Sequence, residues 1–182
     1  MFVLEKTTEG RFLKYKMPNY DSISLESLSE FEQDVEMKLA TYHFKSQEPS
    51  EESGLPDTLI GFTANSLQAV TKNSTIDGFR YLVVYQGYET SPIHEKLLNL
   101  LNTLSTMPPY SQYVKYGYLD LAHNDAPIDH PLTEALVLHD LDINKTWYLP
   151  VSSDIDSHEV DQWLRSNIYE LMISMPVDDL DL

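Results

Sequence analysis

Polar and apolar positions along this chain change period several times, and each change marks an element. In "FVLEKTTEGRFLKYKM" two alternating, strand-like runs flank Thr8-Glu9-Gly10, where glycine supplies the positive φ that a tight turn needs, so the pattern predicts a hairpin. In "SLESLSEFEQDVEMKLATYHF" the residues Leu25, Leu28, Phe31, Val35 and Leu39 recur at helical spacing. Ser24 is placed as N-cap and Glu26 falls in the first turn, which predicts a helix over 25–42. "KSQEPSEESGLPD" is rich in Ser, Glu and Pro, has too little apolar surface to bury a core, and reads as a linker over 45–56.

Beyond the linker a longer series begins. "TLIGFT" reads as a strand, "NSLQAVTKN" as a short helix, and "RYLVVYQ" as a continuous apolar strand of the kind buried on both faces, hence central. Ile93, Leu97, Leu100, Leu101 and Leu104 form a helical stripe that must end before "MPPYSQ", where consecutive prolines remove donors. "VKYGYLDLA" supplies another strand and "HNDAPIDHPL" a loop. "EALVLHD", "LDIN" and "KTWYLPV" make an antiparallel hairpin. Asp156 and Glu159 set up a capping box for a closing helix whose face carries Val160, Trp163, Leu164, Ile168 and Leu171.

Residues 57–174 therefore run β-α-β-α-β-(loop or short helix)-β-β-α, which is the thioredoxin topology, a mixed sheet flanked by helices with an antiparallel edge hairpin. Residues 1–44, read as β-β-α, match the final third of the same topology. The expected fold class is α/β, thioredoxin-like, preceded by a partial thioredoxin-like β-β-α unit, with an acidic tail at 175–182. A β-β-α fragment cannot cover its own apolar face, so it needs strands from a longer protein, or a surface on the second unit or on another chain.

Composition narrows the function classes. The 182 residues are 42% hydrophobic and 23% charged, enough for a proper core. Twelve basic against 29 acidic residues give a net charge of −17, a field that opposes nucleic acid and anionic lipid. No apolar run is long enough to span a membrane, and "MFVLEKTTEG" lacks the basic and apolar regions of a signal peptide, so a targeting sequence is expected outside this chain. The absence of cysteine removes disulfides, thiolate metal sites and thiol redox chemistry. Two N-x-[ST] triplets, at Asn73 and Asn144, mark N-glycosylation candidates, against roughly one expected by chance.

The remaining polar groups form no strong motif. The histidines at 43, 94, 123, 130, 139 and 158 lack metal-ligand spacing, although His123, Asn124, Asp125, Asp129 and His130 crowd one loop, which a solvated turn explains more simply. "DLDIN" has the opening of an EF-hand loop without its later glycine and glutamate, so a hairpin turn accounts for it. Tyr110, Tyr113, Tyr116 and Tyr118 read first as sheet and edge packing and second as a peptide-binding patch. No cofactor is expected.

The words "GRFLKYKMP", "SLESLSEFEQDV", "FKSQEPSEE" and "DGFRYLVVYQ" occur in an order that resembles the junction of the third and fourth thioredoxin-like domains of the protein disulfide isomerase family. That family has an "LKYxxP" strand, a helix, a "KSQxxP" linker and a "VLVLYYAPWCGHC" strand and active site, and the resemblance covers nearly the whole chain. Aligned so, Thr90, Ser91, Pro92 and Ile93 stand where the family has Cys-Gly-His-Cys. Hydroxyls cannot perform thiol–disulfide exchange. What the residues themselves suggest there is capping, with Thr90 or Ser91 accepting from the next helix's N–H groups and Pro92 in its first turn. The resemblance also implies a cis-proline facing that turn. Its place falls at Thr133 and Glu134, with Pro131 just upstream as the candidate.

The function implied by the resemblance is a redox-inactive thioredoxin-like module of a disulfide-isomerase-like protein in the endoplasmic reticulum lumen. It would bind polypeptide clients or a partner protein in a chaperone or scaffold role. Two rivals come from other classes: an acidic calcium-binding, calsequestrin-like module, and a structural oligomerisation domain completed by another chain.

Overall fold

The structure is a computed structural model that describes residues 2–6, 12–16, 24–37, 55–73, 76–127, 130, 131 and 133–173. The chain falls into two compact units, Met1–Lys45 and Ser46–Leu182. The turn at Thr8-Glu9-Gly10, residues 45–54 of the expected linker and the acidic tail at 175–182 lie outside the described residues.

In the first unit, β1 (Phe2–Lys6) pairs antiparallel with β2 (Phe12–Lys16), with Val3 opposite Tyr15. α1 (Leu25–Glu36) follows. Ser24 and Ser27 close a reciprocal capping box, each side chain accepting from the other's backbone N–H, which satisfies two donors at the helix start. Phe31 and Val35 are buried as the spacing predicts, whereas Leu25 is 87% exposed because it sits in the first turn, off the buried face. Leu39 and the rest of the expected helix beyond Met37 lie outside the described residues.

The second unit is a mixed five-stranded sheet between helices, an α/β architecture. Its strands are β3 (Ile60–Phe62), β4 (Tyr81–Gly87), β5 (Val114–Asp120), β6 (Ala135–Asp140) and β7 (Lys145–Pro150), in the order β3-β5-β4-β6-β7. β3, β5 and β4 are parallel, and β6 and β7 join antiparallel. This is the thioredoxin strand order. The central strand is β4, all seven residues of which are buried. Its side chains alternate between two cores: Tyr81, Val83 and Tyr85 face one way, Leu82 and Val84 the other.

The larger core is closed by α3 (His94–Thr106), α4 (Tyr110–Tyr113), α5 (Ser157–Asn167) and α6 (Tyr169–Ile173). Leu97, Leu100, Leu101 and Leu104 of α3 are buried there, each contributing about 1.5–3 kcal/mol by area. The four-residue α4 was not predicted; it follows a cis Pro108–Pro109 bond. Its Tyr110 is fully buried, and the hydroxyl bonds Asp161 and accepts from Arg165 Nη2 at 3.0 Å. Burial, with Asp161 beside it, pushes that phenol up to about 12. The single closing helix expected from the sequence is two. Asp156 caps α5 through Glu159 N–H at 2.8 Å, and the helix ends at Ile168, whose extended backbone buries its side chain before α6 begins.

Among the described residues of this unit, the opposite face carries the smaller core. α2 (Ala64–Asn73) covers Leu82, Val84, Phe62 and Leu119 on the parallel side. Between β5 and β6 the described residues of 121–134 contain no helix. Gly117, on β5 between β3 and β4, lets Phe62 and the Ile60 carbonyl approach where a Cβ would meet them at 2.5 and 2.6 Å.

Candidate functional site

The turn that links the central strand to α3 begins after Gly87, and β6 enters the sheet beside it. Because Gln86 pairs with Ala135 in antiparallel register, the residue that precedes β6, Glu134, is delivered to the mouth of that turn. Its half-buried carboxylate accepts three hydrogen bonds. Oε1 accepts from the Tyr85 hydroxyl at 2.9 Å and from the Tyr88 backbone N–H at 3.2 Å, and Oε2 accepts from the Ser91 hydroxyl at 3.0 Å. Hydrogen bonds to an ionised acceptor are the stronger kind, so this set ties residues 85–91 to the start of β6.

Aromatic rings floor the set. Tyr85 and Tyr118 lie with centroids 5.5 Å apart, and His94 meets Tyr118 edge-on at 5.0 Å. The Tyr118 hydroxyl donates to the Gly87 carbonyl at 3.3 Å. Burial raises both phenols well above their ordinary range; Glu134 reinforces this for Tyr85 and Asp120 for Tyr118. Both therefore remain protonated donors at neutral pH. His94 Nδ1 is buried without a hydrogen-bond partner among the described residues.

The residues singled out from the sequence are distributed around this centre. Thr90 and Pro92 are exposed, Ser91 is half-buried against Glu134, and Ile93 is buried in the larger core. The expected capping does not occur. α3 starts at His94 with Ile93 as a helical-region N-cap that makes no side-chain bond, and Pro92 precedes the first turn. The Ser91 hydroxyl has a better partner in a carboxylate than in a helix N–H, while the Ser91 carbonyl accepts from His94 N–H at 3.0 Å. Pro131 carries no cis bond; the cis bond among the described residues is Pro108–Pro109, and the position next to β6 is filled by Glu134.

Pro131 and Thr133 act instead on the other face of the sheet. The buried Gln86 side chain donates from Nε2 to the Pro131 carbonyl at 2.6 Å and the Thr133 carbonyl at 3.0 Å. Its Oε1 is thereby left to accept from His130 Nδ1 at 3.0 Å, which assigns the ring proton to Nδ1. His130 is buried with its ring 4.9 Å from that of His139. Burial lowers His139 to about 4, and its Nε2 has no partner among the described residues. Sequence reasoning gave Tyr85 and Gln86 no role and weighed His94 and His130 only as metal ligands, since their actual contacts depend on neighbours far away in the chain.

The described residues of the crowded loop are engaged with one another and with the start of α2. His123 bonds Asp120 at the end of β5, and Asn124 bridges the Asp120 carbonyl and the Ala64 N–H at the start of α2. Asp129 lies outside the described residues, and among the described residues no group of three His, Asp or Glu side chains converges in ligating geometry. Asn73 ends α2, with Ser74 and Thr75 outside the described residues, and Asn144 sits exposed in the β6–β7 turn with φ 50.

Chemically, the centre restrains the turn. The chain has no cysteine, so thiol–disulfide exchange has no nucleophile at this turn. No described helix is long and apolar enough to cross a membrane. No family model matches the chain, and no curated protein matches it.

Proposed function

We propose that the second unit is a non-catalytic thioredoxin-like module that binds polypeptides, as a client-holding or scaffold part of a disulfide-isomerase-like protein of the endoplasmic reticulum lumen. The observation that carries this reading is the exchange made at the strand-to-helix turn. Where the family it resembles mounts a thiol pair, the chain has Ser91 bonded to Glu134, and Glu134 bonded to Tyr85 and Tyr88. The turn is thus fixed as a surface, with Tyr88, Thr90 and Pro92 exposed on its rim. An aromatic ring, a hydroxyl and a proline suit contact with extended peptide.

The test has two arms. Insulin reduction and refolding of a scrambled disulfide protein should show no rate above background, and turnover in a metal-free preparation would refute the non-catalytic part. Binding of a reduced, unfolded polypeptide should be measurable by fluorescence anisotropy and weakened severalfold by Tyr88→Ala; an unchanged affinity would remove the rim from the reading. The net charge of −17 favours a second reading, weak calcium buffering by scattered carboxylates. Calorimetry with calcium separates it, since many weak sites would release or absorb heat and a polypeptide binder would not.

A further inference from the structure

We propose that Asn144 is the N-glycan acceptor of this chain, placed on the turn that closes its edge hairpin. The acceptor triplet Asn144-Lys145-Thr146 spans the end of the β6–β7 turn and the first two residues of β7. Asn144 is exposed, and so are Asp142, Ile143 and Lys145 around it. Its φ of 50 is left-handed, a conformation that asparagine tolerates better than most side chains and that fits a hairpin turn.

Two further features suit a glycan at this point. Ile143, at the tip of the turn, is 60% exposed, an apolar side chain that a bulky polar group beside it would shield. β7 is the terminal strand of the sheet order, paired only with β6 among the described residues. A glycan on the residue before Lys145 would block strand addition there. The other triplet has no comparable support: Asn73 closes a helix, and Ser74 and Thr75 lie outside the described residues.

In the transfer, Asn144 Nδ2 forms a bond to C1 of an oligosaccharide carried on a polyisoprenyl pyrophosphate. The C1–O bond to the pyrophosphate breaks, the amide loses one proton, and the polyisoprenyl pyrophosphate leaves, with no change of oxidation state. The donor lipid faces the lumen of the endoplasmic reticulum, so the inference rests on the luminal part of the proposed function.

The experiment expresses the full chain behind a cleavable secretory leader in eukaryotic cells, with a strong acceptor triplet appended at its C-terminus to report luminal entry. Peptide-N-glycosidase digestion and mass spectrometry should find aspartate at position 144 in place of asparagine. One glycan-sized mobility step should vanish in Asn144→Gln and persist in Asn73→Gln. An unmodified Asn144 in chains whose appended triplet is glycosylated overturns the proposal, as does a step lost only in Asn73→Gln. Fractionation of the natural protein tests the luminal reading separately: recovery outside the lumen sinks that reading while leaving the acceptor result intact.

Discussion

Acid should weaken this fold in part through the buried imidazole of His139, and the size of that part follows from its burial. His139 is neutral in the folded sheet, its pKa lowered from 6.5 to about 4 by desolvation, with the His130 ring tilted against it at 4.9 Å, the Thr146 hydroxyl 3.4 Å from Nδ1, and no carboxylate bonded to it among the described residues. Because folding depresses the affinity of this base for a proton, the unfolded chain takes up the proton more readily between those two values. The contribution is complete above pH 6.5 and is lost as the pH falls through about 4, levelling off only below that value. Linkage puts the loss at about 2 kcal/mol by pH 5 and about 3 kcal/mol by pH 4. The chain's many carboxylates also titrate in this range, so the useful quantity is a difference of differences. Urea unfolding of the wild type and of His139→Phe, followed by the fluorescence of Trp147 and Trp163, gives stability at pH 7.5 and 5 for each. The wild type should lose about 2 kcal/mol more than the variant over that interval. Parallel losses in the two proteins would refute the assignment of the buried proton site to His139.

Other perturbations probe the turn and the sheet. Glu134→Ala removes the acceptor shared by Tyr85, Tyr88 and Ser91 and should cost about 2–3 kcal/mol in urea unfolding, against about 1 kcal/mol for Ser91→Ala; equal costs would mean that Glu134 does not organise the set. Gly117→Ala pushes a Cβ onto the Ile60 carbonyl and the Phe62 ring and should destabilise by about 1–3 kcal/mol, with an unchanged midpoint counting against the close approach of β3. Arg80→Ala leaves the Asp140 carboxylate, 3% exposed, without its two-pronged partner. The expected loss is about 1–2 kcal/mol, less than for a fully buried pair because Arg80 is 40% exposed, and it should shrink when Asp140→Asn is made as well.

What the sequence revealed and what it hid divide along a physical line. The central strand, the leucine stripe of α3 and the edge hairpin were legible because burial imposes a period on neighbouring residues, and periods are local. The break at Ile168 was invisible because the apolar spacing runs through it, α5 and α6 both presenting buried residues to one core. The turn at 88–93 misled for a different reason. Serine before a helix reads as a cap, and nothing near Ser91 announces a carboxylate 43 positions later. Glu134 was noticed only as a place-holder for an expected proline. Gln86 drew no separate reading within the strand "RYLVVYQ", yet it is fully buried and satisfied by three partners from the segment before β6.

Among the described residues of the second unit, the two sides of the sheet are insulated very unequally. Four helices close the core on one side of the sheet, while on the other side of the hairpin β6–β7 His130 packs over His139 and Tyr148, anchored through Gln86. Breathing of the molecule should therefore begin there, with solvent deuterium reaching the amides of β7 early and those of β4 last. Such a seam also marks where added chain length between β5 and β6 would be absorbed at least cost to the rest of the molecule.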